Sequence, residues 1–160
     1  MHGHRCARYA VAALLVTLAA CSDSTTTPAT SFTADLSNRK EIPDTVTTAA
    51  TGTATCTIST ANSTIACIVN FTGLSGPPTA SHIHLANANA NGGIRVNLCG
   101  AGTAPACPAT SPITSGDQPA TGATFAAVVA AMRTYGAYVN VHTTIHIGGE
   151  MRGQIFGVYP

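Results

Sequence analysis

The most regular feature of the chain is the alternation of apolar and polar side chains in short segments rich in threonine and valine. Successive side chains of a β-strand point to opposite faces, and β-branched residues fit a pleated sheet, so these segments are predicted to be strands. The glycine, proline and asparagine residues between them are typical of turns. The predicted strands are residues 32–36, 53–60, 63–71, 80–86, 94–98, 137–143 and 150–158.

One segment instead has the period of an α-helix. Its apolar side chains fall at positions i, i+3, i+4 and i+7, which places them on one face that packs against a core. These side chains are Phe125, Val128, Val129 and Met132. The pattern predicts a short helix over residues 124–132, capped by Thr124 or Gly122 and ended by Gly136.

Residues 99–121 have neither period and contain four prolines, which predicts a long loop. Short strands separated by turns, with one short helix, indicate an all-β antiparallel fold, built as a sandwich or a barrel. The residues that follow residue 20 number 140 (160 − 20), which is enough for one domain with its own core.

The N-terminus has the pattern of an export signal. Arg5 and Arg8 precede an apolar run, residues 9–20, that is too short to cross a ~30 Å hydrocarbon core as a helix. The run ends in Leu-Ala-Ala followed by Cys21, which resembles the lipobox of bacterial lipoproteins. The resemblance implies cleavage before Cys21 and acyl chains on that residue, which together attach a protein firmly to a membrane. An ordinary secretory signal with an incidental cysteine is the alternative.

These features divide the chain into a signal peptide (1–20), a tether rich in serine, threonine and proline (21–31), and one domain (32–160). We expect the mature protein to be lipid-anchored at the bacterial cell envelope, on a periplasmic or outer-membrane face. Removing two arginines with the signal leaves 7 − 2 = 5 basic residues against six acidic ones. Nucleic acid is therefore not an expected partner, since no basic patch remains to attract phosphate. The sequence does not identify a protein or small-molecule ligand.

Four cysteines follow the lipobox, and an even number in an exported chain predicts two disulfides. A hairpin centred on residues 61–62 pairs residues whose numbers sum to 123, so Cys56 and Cys67 face each other within disulfide distance. Cys99 and Cys107 then bracket a short loop rich in glycine, alanine and proline. Free thiols or a thiolate metal site are the alternatives, although the chain has no Cys-x-x-Cys pair.

Three predicted strands carry polar side chains on one face and apolar ones on the other. His82 and His84 share a face of the first, and His142 lies on the polar face of another. If the strands are neighbours, the three imidazoles converge with further polar side chains. These side chains are Asn140, Glu150 and Arg152. His146 is expected in the following turn, exposed to solvent.

The same segments resemble one known family. The opening residues 32–36 and 41–43 read F-T-A-D-L and E-I-P, and Ser81-His82-Ile83-His84 follows. Residues 138–143 (Y-V-N-V-H-T) and 149–155 (G-E-M-R-G-Q-I) complete the pattern. The sequence is similar to the CHRD domain, named from chordin and present in many exported bacterial proteins. The resemblance covers residues 32–158 and implies an extracytoplasmic immunoglobulin-like sandwich, distantly similar to copper–zinc superoxide dismutases. It implies no settled activity.

Two interpretations of the histidines remain open. Two imidazoles at i and i+2 on a strand, with a third across from them, form a nitrogen face that suits Cu²⁺ or Zn²⁺. Alternatively, they belong to a hydrogen-bonded polar cluster in which the histidines bond backbone carbonyls and Arg152 pairs with Glu150 to lock the sheet. A dismutase-like redox enzyme is a weaker third idea, because four histidines after the signal are too few for two metal sites. We therefore expect a non-enzymatic binding or structural module, with metal binding as the alternative.

Overall fold

The alternating segments form β-strands in the computed structural model, which describes residues 27–43 and 46–159. The elements in chain order are β1 (Ser31–Ser37), the 3-10 helix η1 (Asn38–Lys40), β2 (Thr51–Ser59), β3 (Thr64–Thr72), β4 (Pro78–Leu85), β5 (Gly93–Cys99), β6 (Ile113–Pro119), α1 (Phe125–Arg133), β7 (Tyr138–Thr143), β8 (Met151–Gln154) and β9 (Phe156–Val158). The predicted signal peptide, Cys21 and most of the predicted tether lie outside the described residues.

All of these strands belong to one antiparallel sheet with the order β5-β4-β7-β8-β1-β2-β3-β6, and β9 also pairs with β1. The two end strands, β5 and β6, contact each other, so the sheet curls almost into a barrel. Its inner face and α1 enclose the apolar core, which includes Phe32, Ile65, Val139 and Met132. The expected all-β antiparallel fold with one short helix is confirmed.

Both predicted disulfides are present. β2 and β3 pair in the predicted register, with Cys56 opposite Cys67, and their sulfur atoms are 2.02 Å apart. The second bond joins Cys99 and Cys107, with a sulfur–sulfur distance of 2.03 Å. One bond therefore joins two neighbouring strands, and the other closes the loop after β5.

The predicted helix is also confirmed, at residues 125–133. The Thr124 side chain caps its first turn by accepting a hydrogen bond from the Ala127 amide at 3.2 Å. Val128, Val129 and Met132 are buried beneath the helix, as the apolar period predicts. The Gly136 amide donates to the Ala131 carbonyl at 2.8 Å and so closes the C-terminal turn.

The predicted loop over residues 99–121 is wrong in part, because residues 113–119 form β6 against β3. The register of this pair shifts between Ala66 and Ile68, and Gly116 has a φ of +62°. The Ser115 hydroxyl accepts a hydrogen bond from the Cys67 amide at 2.8 Å, in place of a regular ladder bond. This bulge interrupts the alternation of apolar and polar side chains by which the other strands are predicted.

Two predicted boundaries also need correction. The last predicted strand, residues 150–158, breaks at Ile155, whose amide donates to the Ala137 carbonyl and whose side chain is buried. The tether was predicted to reach residue 31, yet Ala29 is buried and the Arg133 guanidinium donates two hydrogen bonds to its carbonyl. The folded domain therefore begins at least three residues earlier than expected.

The polar faces of β4, β7 and β8 are covered rather than open to solvent. All six residues of β7 are buried. η1 contacts β8, and the side-chain nitrogen of Asn91 in the β4–β5 loop donates a hydrogen bond to the Ile42 carbonyl at 2.9 Å. In the part of the chain that the structure describes, no helix is long and apolar enough to cross a membrane.

Candidate metal centre

β4 and β7 bring the three predicted imidazoles together. His82 and His84 project from the same face of β4. The register places His142 of β7 opposite Ala80, which is two residues before His82 and lies on the same face. One nitrogen atom from each ring lies within 4.8 Å of the other two. The ring centroids are 5.1 Å apart for His82–His142 and 5.6 Å apart for His82–His84. Each residue is less than a tenth exposed. The cluster is therefore a compact, buried group of nitrogen donors.

Backbone carbonyls determine which ring nitrogen carries the proton in two of the three imidazoles. The Nδ1 atom of His84 is 2.9 Å from the Gly92 carbonyl oxygen, and that of His142 is 3.0 Å from the Ile147 carbonyl oxygen. A carbonyl only accepts, so both Nδ1 atoms donate and both Nε2 atoms keep a lone pair. This arrangement is the one that orients histidine ligands in metal sites.

The Nε2 atoms of His84 and His142, which keep their lone pairs, differ in their hydrogen-bond partners. The Nε2 atom of His84 is buried and has no hydrogen-bond partner among the described residues. The Nε2 atom of His142 lies 3.3 Å from His82 Nδ1. Because His142 Nε2 carries the lone pair, the hydrogen bond requires a proton on His82 Nδ1.

Burial keeps the three imidazoles neutral. Burial, together with the smaller effects of the nearby His142 and His84 rings, lowers the pKa of His82 from 6.5 to about 4. Burial also lowers the pKa values of His84 and His142, against the opposing effect of their hydrogen bonds to Gly92 and Ile147. A neutral imidazole is the form that ligates a metal, so the cluster is ready for a cation at neutral pH.

Tyr138 holds the His84 ring from one side. The two rings stack with centroids 4.9 Å apart and an interplanar angle of 5°. The Tyr138 hydroxyl accepts a hydrogen bond from the Gly92 amide at 3.2 Å, and the Arg152 guanidinium carbon lies 4.4 Å from the Tyr138 ring centroid. Gly92 therefore contacts both stacked side chains, which restricts the orientation of His84.

Asn140 and Arg152 lie beside the cluster, as predicted. Asn140 is opposite His82 on one side and opposite Arg152 on the other, and its side-chain oxygen is buried without a hydrogen-bond partner among the described residues. Arg152 is 2% exposed, and its guanidinium donates to the Asn91 side chain and to the carbonyls of Ala88 and Ala90.

Glu150 does not join this group: the polar-cluster interpretation paired it with Arg152, whereas the structure gives it other partners, although the histidine–carbonyl bonds of that interpretation are present. Its carboxylate accepts hydrogen bonds from the Ser75 amide, the Ser75 hydroxyl and the Thr143 hydroxyl, each at 2.7 Å. Burial alone would raise the pKa of Glu150, but these hydrogen bonds outweigh it and lower the pKa below its ordinary value. Its role in the structure is to hold the Ser75 loop against the end of β7. His146 follows in the turn and is partly exposed.

The sequence analysis missed a buried carboxyl group on this side of the sheet. Glu41 is 5% exposed, and burial raises its pKa from 4.5 to about 7, against the opposing effects of Arg152 and of a hydrogen bond with Asn140. Its position in the E-I-P segment was noted only as part of the family pattern. The chain has six acidic residues, and the position of Glu41 in the family motif was the signal that could have identified it as a functional residue.

The curled antiparallel sheet and its two disulfides define a β-rich domain of the extracellular type. The chain belongs to the CHRD domain family, because the model of that domain matches residues 32–155. The match confirms the resemblance found in the sequence. No curated protein and no solved structure matches the chain.

Proposed function

We propose that this CHRD domain is a non-enzymatic binding module whose ligand is a copper or zinc ion held by His82, His84 and His142. The observation that carries the proposal is the convergence of three ring nitrogens within 4.8 Å, in a buried position. Imidazole nitrogen suits Cu²⁺ and Zn²⁺, whereas Mg²⁺ and Ca²⁺ prefer oxygen ligands. Three protein ligands leave a further position for water or another small ligand.

The alternative, a polar cluster that only stabilises the sheet, is less well supported. Buried polar groups that serve stability are almost always hydrogen-bonded, because an unpaired one costs about 1–3 kcal/mol. The Nε2 atom of His84 is unpaired among the described residues, and it is the atom aligned for ligation. A bound cation would compensate the cost of leaving this lone pair without a donor.

We further infer that the module acts at the bacterial cell envelope, attached through acyl chains on Cys21. Support comes from the Leu-Ala-Ala-Cys segment after an apolar run, and from two disulfides, which persist in oxidising compartments. We also propose that the curled sheet is a flattened barrel whose halves pack as an immunoglobulin-like or superoxide-dismutase-like sandwich. An experimental structure, compared with both folds, tests this point.

Metal uptake by untagged protein tests the function. The protein is stripped with a chelator, dialysed, and titrated with Cu²⁺ and with Zn²⁺ by calorimetry, with the bound metal measured by elemental analysis. We expect one ion per chain and a rise in melting temperature, because a ligand that binds only the folded state stabilises it. The proposal would be refuted if the protein took up neither Cu²⁺ nor Zn²⁺.

Two variants assign the site. His84→Ala removes the unpaired ligand atom and is expected to abolish stoichiometric uptake, while circular dichroism confirms that the protein is folded. His146→Ala, which alters an imidazole of the turn, is the matched control and should bind as the wild type does. Equal binding by wild type and His84→Ala would place the metal elsewhere.

A further inference from the structure

A cavity of about 540 Å³ is lined by residues of η1, of the segment that follows it, of the β4–β5 loop, of β8 and of β9. This volume lies within the ~300–1,000 Å³ range of small-molecule sites. None of the three histidines of the cluster lines the cavity, so its ligand does not depend on the proposed metal. The side chains that matter here are Arg39, Lys40, Glu41, Ile42, Arg152 and Phe156.

The charges around the cavity favour an anion. Among the described residues, three cationic side chains line it, against one carboxyl group, that of Glu41. Because burial raises the pKa of Glu41 to about 7, this group carries only part of a negative charge at neutral pH. Arg152 is almost fully buried, and its three hydrogen-bond acceptors are neutral oxygens rather than carboxylates.

One of these polar groups has an unpaired atom, and another is an almost fully buried cation. A buried cation is normally compensated by a charged partner, and among the described residues that line the cavity, Glu41 has the carboxyl group that can compensate Arg152. The Oε1 atom of Glu41 is itself buried without a hydrogen-bond partner among the described residues. A protonated carboxyl group donates a hydrogen bond, so Glu41 can contact an incoming acceptor instead of repelling it.

Part of the remaining wall is apolar, and Asn89 and Gln154 add uncharged polar side chains. Ile42 and Ala88 line the cavity together with Phe156, which is 45% exposed although it is a large aromatic residue. Its ring lies 5.0 Å from that of Tyr135, measured between centroids. A ligand that fits both walls has an anionic end and an apolar body.

From this arrangement we infer that the cavity binds a small organic carboxylate, with its charged end toward Arg39, Lys40 and Arg152 and its apolar body against Phe156. The two exposed basic residues attract the anion, and the buried guanidinium gains a counter-charge when it arrives. The site is separate from the histidine cluster, so either proposal stands if the other fails.

Benzoate is a suitable probe, and benzamide is its uncharged counterpart of the same shape. Each is titrated into ¹⁵N-labelled, metal-free protein, and amide chemical shifts are followed. We expect saturable shifts for residues 39–42, 88–89 and 152–156 with benzoate, and at least tenfold weaker binding of benzamide. Equal binding of the two probes, or benzoate shifts confined to other regions, would overturn the inference.

A pair of variants tests the charge directly. Arg39 and Lys40 are exposed, so the double variant Arg39→Gln/Lys40→Gln should fold, and the dispersion of its amide spectrum reports this. Benzoate should bind it about tenfold more weakly, since each exposed charge contributes modestly. Arg95→Gln removes a cation that does not line the cavity and should leave benzoate binding unchanged. Wild-type affinity in the double variant would contradict the proposed orientation.

Discussion

The buried imidazole of His82 should make a contribution to the stability of the metal-free protein that is lost in acid. In the folded protein the pKa of His82 is about 4, whereas the pKa of a histidine in an unfolded chain is about 6.5. Since the pKa is lowered on folding, the stabilising contribution is complete above pH 6.5 and is lost as the pH falls toward 4. From these two values, we expect a loss of about 2.5 kcal/mol between pH 7 and pH 4.5.

Glu41 has the opposite effect over almost the same range. Its pKa is about 7 in the folded protein, against 4.5 ordinarily, so its contribution is complete below pH 4.5 and is lost as the pH rises through 7. The size is also about 2.5 kcal/mol between pH 4.5 and pH 7. The two groups therefore oppose each other, and the wild-type profile reports only their net effect together with that of the other titrating groups.

Variants separate the two contributions. In His82→Asn the amide nitrogen stands in for Nδ1 as a donor to His142, and the titrating group is gone. Relative to wild type, the free energy of unfolding of this variant should increase by about 2.5 kcal/mol on going from pH 7 to pH 4.5. Glu41→Gln should change by a similar amount in the opposite direction.

Urea unfolding at several pH values, in the presence of a chelator, measures these differences. His146→Asn is the control for a histidine outside the cluster. Parallel pH profiles for wild type and His82→Asn would refute the reasoning, because they would mean that His82 titrates alike in the folded and unfolded chain.

Three further predictions concern stability. The disulfide between Cys56 and Cys67 spans 11 positions. Replacing both cysteines by alanine should therefore lower the free energy of unfolding, measured by chemical denaturation, by about 3 kcal/mol. A decrease of less than about 1 kcal/mol would contradict the chain-entropy estimate. Gly149 has a φ of +130°, and a Cβ atom there would lie 2.5 Å from the Asn140 side chain, so Gly149→Ala should cost about 2–3 kcal/mol. Gly148→Ala, where the space is open, is the matched control. Thr124→Ala should cost about 1 kcal/mol through loss of the helix cap, and Thr124→Ser should cost little.

The elements that local sequence could predict are those whose pattern is regular. The hairpin pairs every residue from Thr51↔Thr72 to Ser59↔Thr64 without a bulge, so the opposition of Cys56 and Cys67 followed from counting alone. α1 likewise has an uninterrupted apolar face and a capping threonine. β6 was missed because Gly116 and a register shift break its alternation, so only the ladder with β3 identifies it as a strand.

The site was predictable where it depended on neighbouring strands and not where it depended on loops. His82, His84 and His142 converge because β4 pairs with β7, as their similar polar faces suggested. The contacts of Glu150 and Glu41 are set by the Ser75 loop and by η1, which reach the sheet from distant parts of the chain. The periodicity of apolar and polar residues along the sequence does not indicate contacts between segments so far apart.

The two hydrogen bonds from Arg133 to the Ala29 carbonyl attach the chain to the domain close to Cys21, the residue proposed above to carry the acyl chains. Eight residue steps separate Cys21 from Ala29, and fully extended they reach at most about 28 Å. A domain of this size is roughly 35 Å across. With the predicted acyl chains on Cys21, the protein would stay within one of its own diameters of the lipid surface. Its cavity and histidine cluster would thus meet ions and solutes in the layer of solution beside the bilayer.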